Sequence, residues 1–164
     1  MRKILVLMVL PFFVLLIVGG CATSEERAVR AAEQAAKIKN SLAERNYKIL
    51  IDRMYPMKGG SKSVSYGYSI EVRNDSLISY LPYFGRAYNV PYGGGKGLNF
   101  SERIGNYQES QTKNGWHHIE IGLTNSEDTY LYIIDLFDNG NSSINVRSRQ
   151  REPISFSGEF ESAR

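Results

Sequence analysis

From residue 47 onward, apolar side chains recur at every second position in short runs that are separated by turn signals. Period two is the spacing of a β-strand that buries one face. The clearest run places apolar residues between polar neighbours, namely Val64, Tyr66, Tyr68, Ile70 and Val72. Turn signals such as Asn114-Gly115 and Asn139-Gly140 favour tight antiparallel connections. Residues 47–161 are therefore predicted to form an antiparallel meander of about eight or nine strands.

One helix is expected before the meander, over residues 27–46. Its apolar positions follow the three- and four-residue spacing of an amphipathic helix, and they are Ala28, Ala31, Ala35, Ile38 and Leu42. Because this stripe is mostly alanine, it fits either packing on its own domain or a short coiled coil with another chain. Strands and helices do not alternate, which argues against Rossmann-type and P-loop architectures. The predicted fold class is mainly β, a barrel or curled sheet that is lipocalin-like in outline.

Two segments of the meander give finer predictions. Leu98 to Thr112 is expected to be one bent strand or two short ones, with the bend at Gly105. Thr129 to Phe137 is apolar on both faces. Such a strand is typical of a central position with both faces covered.

The first 20 residues have the organisation of a bacterial lipoprotein signal peptide. Two basic residues, Arg2 and Lys3, precede an apolar run from Ile4 to Val18, and two glycines then lead to Cys21. The apolar run is shorter than the ~20 residues that a membrane-spanning helix needs. Residues 1–20 are therefore predicted to be removed when the protein is exported.

Cys21 is the only cysteine of the chain. As the lipidated first residue of the mature protein it would carry the acyl chains, palmitate among them, and residues 21–26 would form the tether. No disulfide, cysteine-ligated metal or thiol nucleophile then remains in the body of the protein. The expected location is the cell envelope, with the protein lipid-anchored to the outer membrane at its periplasmic face or at the cell surface.

Composition argues against nucleic-acid binding, and no group of residues predicts an active site. The formal net charge of +3 includes the two basic residues of the predicted signal peptide, so the rest of the chain is nearly balanced. His117 and His118 are the only histidines. Neighbours on a strand point to opposite faces, so these two cannot chelate one metal ion together. We predict no catalytic residues, no metal site and no cofactor, and an enzyme is kept as an alternative.

The segment from Tyr83 to Gly97 is predicted to be a long loop with an unusual number of aromatic residues. Structureless loops of this length are uncommon in compact domains and often functional. Aromatic rings with polar tips suit contacts to sugars or peptides. The hypothesis is a ligand-binding loop with Arg86 as the polar anchor and aromatic contacts from Tyr83, Phe84, Tyr88 and Tyr92. The alternative is that these rings fold back and pack on the sheet.

Three arginines follow one another at period two, namely Arg147, Arg149 and Arg151. On one strand face such a row could meet phosphate or carboxylate groups. The alternative is the solvated face of an edge strand, where charge discourages pairing with other chains.

Three segments carry a family resemblance: Met54-Tyr55-Pro56-Met57, the string from Ser79 to Tyr88, and Pro153 to Gly158. Together they resemble a family of small envelope lipoproteins of Bacteroides-type bacteria, known as a domain of unknown function. The resemblance covers roughly Lys39 to Phe160. It implies a diderm cell envelope and a β-rich domain, and it supplies no catalytic residues.

The function predicted from the sequence is that of an envelope lipoprotein acting as a non-enzymatic binding module. Its membrane contact would be the lipid on Cys21, and its partner a glycan, an apolar ligand or an envelope protein. The alternatives are a structural or assembly lipoprotein that self-associates through the helix, and an uncharacterised enzyme.

Overall fold

The computed structural model describes residues 24–65, 67–89, 97–113 and 115–162. The predicted signal peptide and Cys21 lie outside the described residues. Helix α1 spans Ser24–Ala43, so it begins and ends three residues before the predicted bounds. In the described part of the chain, no helix has both the length and the apolar character required to cross a membrane. The chain divides after Arg30, so the second half of α1 and all the strands belong to one unit.

Among the described residues, ten strands follow α1 and form one antiparallel sheet. They are β1 (Asn46–Pro56), β2 (Lys62–Ser63), β3 (Ser69–Arg73), β4 (Ser76–Leu81), β5 (Leu98–Arg103), β6 (Asn106–Gln111), β7 (His117–Thr124), β8 (Thr129–Leu136), β9 (Asn141–Ser148) and β10 (Ile154–Ser162). The order across the sheet is β5-β4-β3-β1-β10-β9-β8-β7-β6, and β2 pairs only with β1. The prediction of a mainly β fold with one N-terminal helix and an antiparallel curled sheet is confirmed.

The first and last strands of the chain, β1 and β10, pair with each other. The strands at the two edges of the sheet, β5 and β6, are consecutive in sequence. Only Ile104 and Gly105 separate β5 from β6. The Ile104 amide donates to the Asp75 carbonyl at 2.7 Å, and the Gly105 amide donates to the Gly122 carbonyl at 2.9 Å. The chain thus passes from one side of the curled half-barrel to the other at Gly105. The predicted bend there is confirmed, with one short strand on either side.

The core lies on the inner face of the curl. Along β8, burial alternates residue by residue, with Tyr130, Tyr132, Ile134 and Leu136 buried. Ile38 and Leu42 of α1 are buried as well. The prediction that both faces of the 129–137 strand are covered is wrong, because the apolar residues on its second face are only half-buried. An antiparallel sheet can leave one face to solvent even where that face carries apolar side chains.

The strand predicted from Val64 to Arg73 is interrupted in the structure. Only Ser69–Arg73 pairs in β3, because Gly67 adopts a φ of 112° and turns the chain. The Val64 amide donates to the Asp52 carbonyl at 3.0 Å, and the Ile51 amide donates to the Tyr68 carbonyl at 2.9 Å. These two bonds attach the segment to β1 at a β-bulge between Ile51 and Arg53. The alternation of apolar and polar residues in the sequence indicates which side chains are buried, but it does not indicate where a strand is interrupted.

Candidate functional site

An open cavity of about 270 Å³ lies beside the first part of the predicted aromatic loop. Its lining combines aromatic, basic and acidic side chains: Lys58, Tyr83, Phe84, Gly85, Arg86 and Glu152. Residues 82–89 follow β4, whereas Glu152 precedes β10 and Lys58 follows β1. The cavity is therefore built from three separate parts of the chain.

The described part of the loop is anchored to the segment before β10. The Glu152 amide donates to the Arg86 carbonyl at 2.9 Å, and the Tyr88 amide donates to the Gln150 carbonyl at 2.7 Å. The Arg86 amide in turn donates to the Glu152 carboxylate at 3.1 Å. Residues 83–88 thus have a defined backbone path, in contrast to the structureless loop predicted from the sequence.

Tyr83 is half-buried, and its hydroxyl is used within the fold. The hydroxyl oxygen lies 2.9 Å from the Arg86 carbonyl and 3.1 Å from the Glu152 carbonyl. Burial and the neighbouring Glu152 carboxylate raise the pKa of Tyr83. A Cβ on Gly85 would lie 2.7 Å from the Tyr83 hydroxyl oxygen, so a larger residue at this position would have to displace the Tyr83 side chain. The Tyr83 ring therefore lines the cavity while its polar end holds the loop in place.

Phe84 and Tyr88 present their rings to solvent, with exposed fractions of 53% and 68%. The Lys62 ammonium lies 3.5 Å from the centroid of the Phe84 ring, within the range of a cation–π contact. Arg86 is exposed and lines the cavity with Lys58. The structure thus brings Tyr83, Phe84 and Arg86 together; Tyr88 lies nearby but does not line the cavity, and Tyr92 lies outside the described residues.

Arg151 does not continue the predicted row of arginines. Its side chain is only 8% exposed and pairs with Glu127 at 3.5 Å. Its guanidinium lies 5.5 Å from the centroid of the Tyr83 ring, and its Nε has no hydrogen-bond partner among the described residues. A row of all three requires a strand that reaches Arg151, and this condition is not met, because β9 ends at Ser148 and the alternation of faces ends with it.

Sequence reasoning missed three charged residues of this region, namely Lys58, Lys62 and Glu152. They are distant from the aromatic loop in the sequence, and each belongs to an ordinary polar stretch. Only the pairing of the loop with residues 150–152 and the position of β2 beside β1 bring them close. No local signal in the sequence could have identified them.

The two histidines lie on β7 and have separate carboxylate partners. His117 Nδ1 lies 3.3 Å from Glu109. His118 Nδ1 lies 2.6 Å from Asp135, and its Nε2 lies 3.4 Å from Glu120. Within the described ranges, no three side chains of the metal-binding types are close enough to hold an ion.

The hydrogen bond to Asp135 raises the pKa of His118 above its ordinary value of 6.5, partly offset by burial. A raised pKa means that protonated His118 stabilises the fold below pH 6.5. This contribution is lost as the pH rises through the folded-state pKa. We expect Asp135→Asn to lower the titration midpoint of the His118 ring protons in NMR spectra. An unchanged midpoint in Asp135→Asn would contradict this assignment.

Comparison with known proteins agrees with the resemblance that the sequence indicated. A family model described as a domain of unknown function, DUF4251, matches residues 29–160. The fold is similar to the crystal structure of a DUF4251 family protein from Bacteroides eggerthii DSM 20697, at 12% identity and a TM-score of 0.61, covering 80% of this chain and 89% of that one. At this identity the likeness concerns the fold alone. A search of the curated proteins found no match. The predicted Bacteroides-type family is thus confirmed, and the chain belongs to the DUF4251 family.

Proposed function

We propose that this protein is a non-enzymatic binding module of the cell envelope, and that it binds its ligand in the cavity beside Phe84 and Arg86. The observation that carries the proposal is that exposed aromatic and basic side chains stand on a backbone held by the 150–152 segment. A held backbone reduces the entropy that a loop loses on binding. The aromatic and charged side chains are therefore already positioned for a ligand before it binds.

The charges around the cavity favour an acidic ligand. Lys58 and Arg86 line it, and Lys62 lies against the Phe84 ring. Glu152, the one carboxylate among the lining residues that the structure describes, already accepts a hydrogen bond from the Arg86 amide. Because the guanidinium of Arg86 is exposed, it can pair with a carboxylate of the ligand through two parallel hydrogen bonds.

The shape and the aromatic rings favour a single sugar residue. A volume of about 270 Å³ is just below the usual range of sites for drug-sized ligands. The Tyr83 ring and the face of the Phe84 ring that Lys62 leaves uncovered offer flat apolar surface for the C–H groups of a sugar ring. An acidic glycan that presents one terminal uronic acid satisfies both requirements.

Among the described lining residues, the arrangement does not suggest an enzyme. The Tyr83 hydroxyl contacts backbone carbonyls, and burial raises its pKa, so the hydroxyl stays protonated at neutral pH and is a poor nucleophile. Glu152 is the only carboxylate of the lining. A pair of convergent acid and base groups is the usual requirement for hydrolysis of a glycosidic bond.

Glucuronate and glucose form a matched pair of probes for the cavity, because they differ by one carboxylate. We expect glucuronate to shift the amide NMR signals of residues 83–86, with little effect from glucose. Arg86→Gln should weaken glucuronate binding about tenfold, which corresponds to one charge-assisted hydrogen-bonding pair. Phe84→Ala should weaken it as well, whereas Arg103→Gln, an exposed arginine on β5, is the control for charge. Equal weakening by all three variants, or no binding of either sugar, would rule out this ligand class.

We also propose that the protein is anchored by lipid on Cys21 after removal of residues 1–20. The basic start, the apolar run and the glycines before Cys21 support this proposal. Cys21→Ser should lose incorporation of radiolabelled palmitate and should move from the membrane fraction to the soluble fraction. Continued labelling of Cys21→Ser would refute the anchor.

Self-association through α1 stays a prediction. Within the helix only Ile38, Ser41 and Leu42 are buried. Val29 is 54% exposed, and the alanines of the stripe before residue 35 are exposed too.

A further inference from the structure

A second cavity, of about 240 Å³, lies where β8 begins and β9 ends. It is separate from the cavity beside Phe84, and the two have no lining residue in common. Its lining is Thr129, Tyr130, Leu131, Arg147, Ser148 and Arg149. It holds two of the three arginines that stand at period two in the sequence, and none of its described lining residues is a carboxylate.

The two arginines of this cavity are not neutralised by the protein. Arg147 and Arg149 are both exposed, and neither pairs with a carboxylate among the described residues. The Arg147 Nε donates to the Asn145 side-chain oxygen at 2.9 Å, which leaves both terminal nitrogens of that guanidinium available. Three other arginines do have carboxylate partners, namely Arg73 with Glu71, Arg103 with Asp75, and Arg151 with Glu127.

The backbone at Arg149 is held in place by Asp128. Its buried carboxylate accepts hydrogen bonds from the backbone amides of Thr129 at 2.7 Å, Arg149 at 3.1 Å and Gln150 at 3.1 Å. These three amides occupy the carboxylate oxygens, so Asp128 positions the segment and leaves the Arg149 guanidinium without an acidic partner. A charged side chain on a fixed backbone loses less conformational entropy when it binds an anion.

Leu131 supplies an apolar side chain to the lining of the cavity. Leu131 lies directly opposite Arg147 across the β8–β9 pair, and it is half-buried on the outer face of the sheet. The aliphatic part of an arginine side chain packs well on such a residue. A ligand that fits here combines a negatively charged group with a small apolar part that can contact Leu131.

We propose that the cavity formed by Arg147, Arg149 and Leu131 binds a phosphate group. Two guanidinium groups offer more donors than the two oxygens of one carboxylate can accept, whereas a phosphate presents three or four acceptor oxygens. The phosphate belongs either to a small soluble phosphate compound or to a phospholipid headgroup. The site is independent of the function proposed for the cavity beside Phe84.

The first arm of the test uses inorganic phosphate and the full chain in a neutral detergent. We expect added phosphate to shift the amide signals of Arg147 to Arg149 in a saturable way. Arg147→Gln and Arg149→Gln should each raise the dissociation constant about tenfold. Arg147→Lys should give an intermediate dissociation constant, because lysine keeps the positive charge but cannot donate two parallel hydrogen bonds as a guanidinium does. Arg103→Gln is the matched control and should leave the constant unchanged.

The second arm replaces phosphate by phosphatidylcholine vesicles with and without phosphatidic acid. Binding that requires phosphatidic acid and is lost in Arg147→Gln supports a headgroup as the source. Binding of inorganic phosphate alone, with the same loss, supports a soluble compound. The proposal is overturned if neither probe binds, or if Arg103→Gln weakens binding as much as the two site variants do. Since both arginines are exposed, unchanged melting temperatures will show that a loss of binding is not a loss of folding.

Discussion

Gly158→Ala is expected to destabilise the protein by about 3 kcal/mol or more, the largest loss that we predict for a change of one methyl group. A Cβ at Gly158 would lie 2.1 Å from the Leu50 carbonyl oxygen and 3.2 Å from Ile49 Cγ2. The nearest atom belongs to the backbone of β1, so it cannot rotate away. The β1–β10 pair, which holds the two halves of the sheet together, would have to separate at this point.

Thermal unfolding followed by circular dichroism is a suitable measurement for Gly158→Ala. A loss of this size should lower the melting temperature by about 6–12 °C for a domain of this length. The matched control is Gly122→Ala on β7, where the nearest atom to a new Cβ is Asn106 Cβ at an ordinary 3.6 Å. If Gly158→Ala and Gly122→Ala have the same melting temperature, the close approach of β1 and β10 does not contribute to stability.

Asp128→Ala is expected to cost about 3 kcal/mol, because one substitution leaves three backbone amides without their acceptor. The amides belong to Thr129, Arg149 and Gln150, and the carboxylate itself is buried. Asp128→Asn keeps one oxygen acceptor and should lose only about 1 kcal/mol. Comparing Asp128→Ala with Asp128→Asn therefore distinguishes the stability lost with the hydrogen bonds from the stability lost with the side-chain volume.

Urea unfolding at neutral pH measures the effect of Asp128→Ala directly. The control is Asp138→Ala, an exposed carboxylate in the turn between β8 and β9, for which a change within about 0.5 kcal/mol is expected. Because Asp128 also fixes the backbone of Arg149, Asp128→Asn should weaken phosphate binding while the protein stays folded. An equal loss of stability in Asp128→Asn and Asp128→Ala would show that hydrogen bonding is not the cause.

Most of the strands could be predicted because a strand that buries one face carries apolar residues at every second position of the sequence. The strand predicted from Thr129 to Phe137 agrees with β8 within one residue. The turn signals place the connections correctly for a physical reason: the hairpin turn before β9 needs the positive φ that Gly140 adopts, at 90°.

The departures from prediction share a different cause, which is contact between distant parts of the chain. The bulge at Asp52 depends on the approach of β10 at Gly158, and nothing near Asp52 in the sequence encodes it. The inward turn of Arg151 depends on Glu127 and on the Tyr83 ring.

The candidate site could be predicted only in its aromatic part. Phe84 and Arg86 stand out because their segment is rich in rings and glycines. Lys58 and Glu152 join them through pairing of strands and loops that are far apart in sequence. Local patterns carry no information about such partners.

The pairing of the first strand with the last has a consequence for how this domain is made. Tyr47 lies opposite Ser162, so one side of β1 has no backbone partner until nearly the whole chain is available. Contacts between residues so distant in sequence form slowly, because a long loop must close before they are gained. A chain that emerges from the ribosome with its N-terminus first cannot complete this sheet before its last strand has been made. Closure of the sheet is therefore a late event, which follows synthesis of β10.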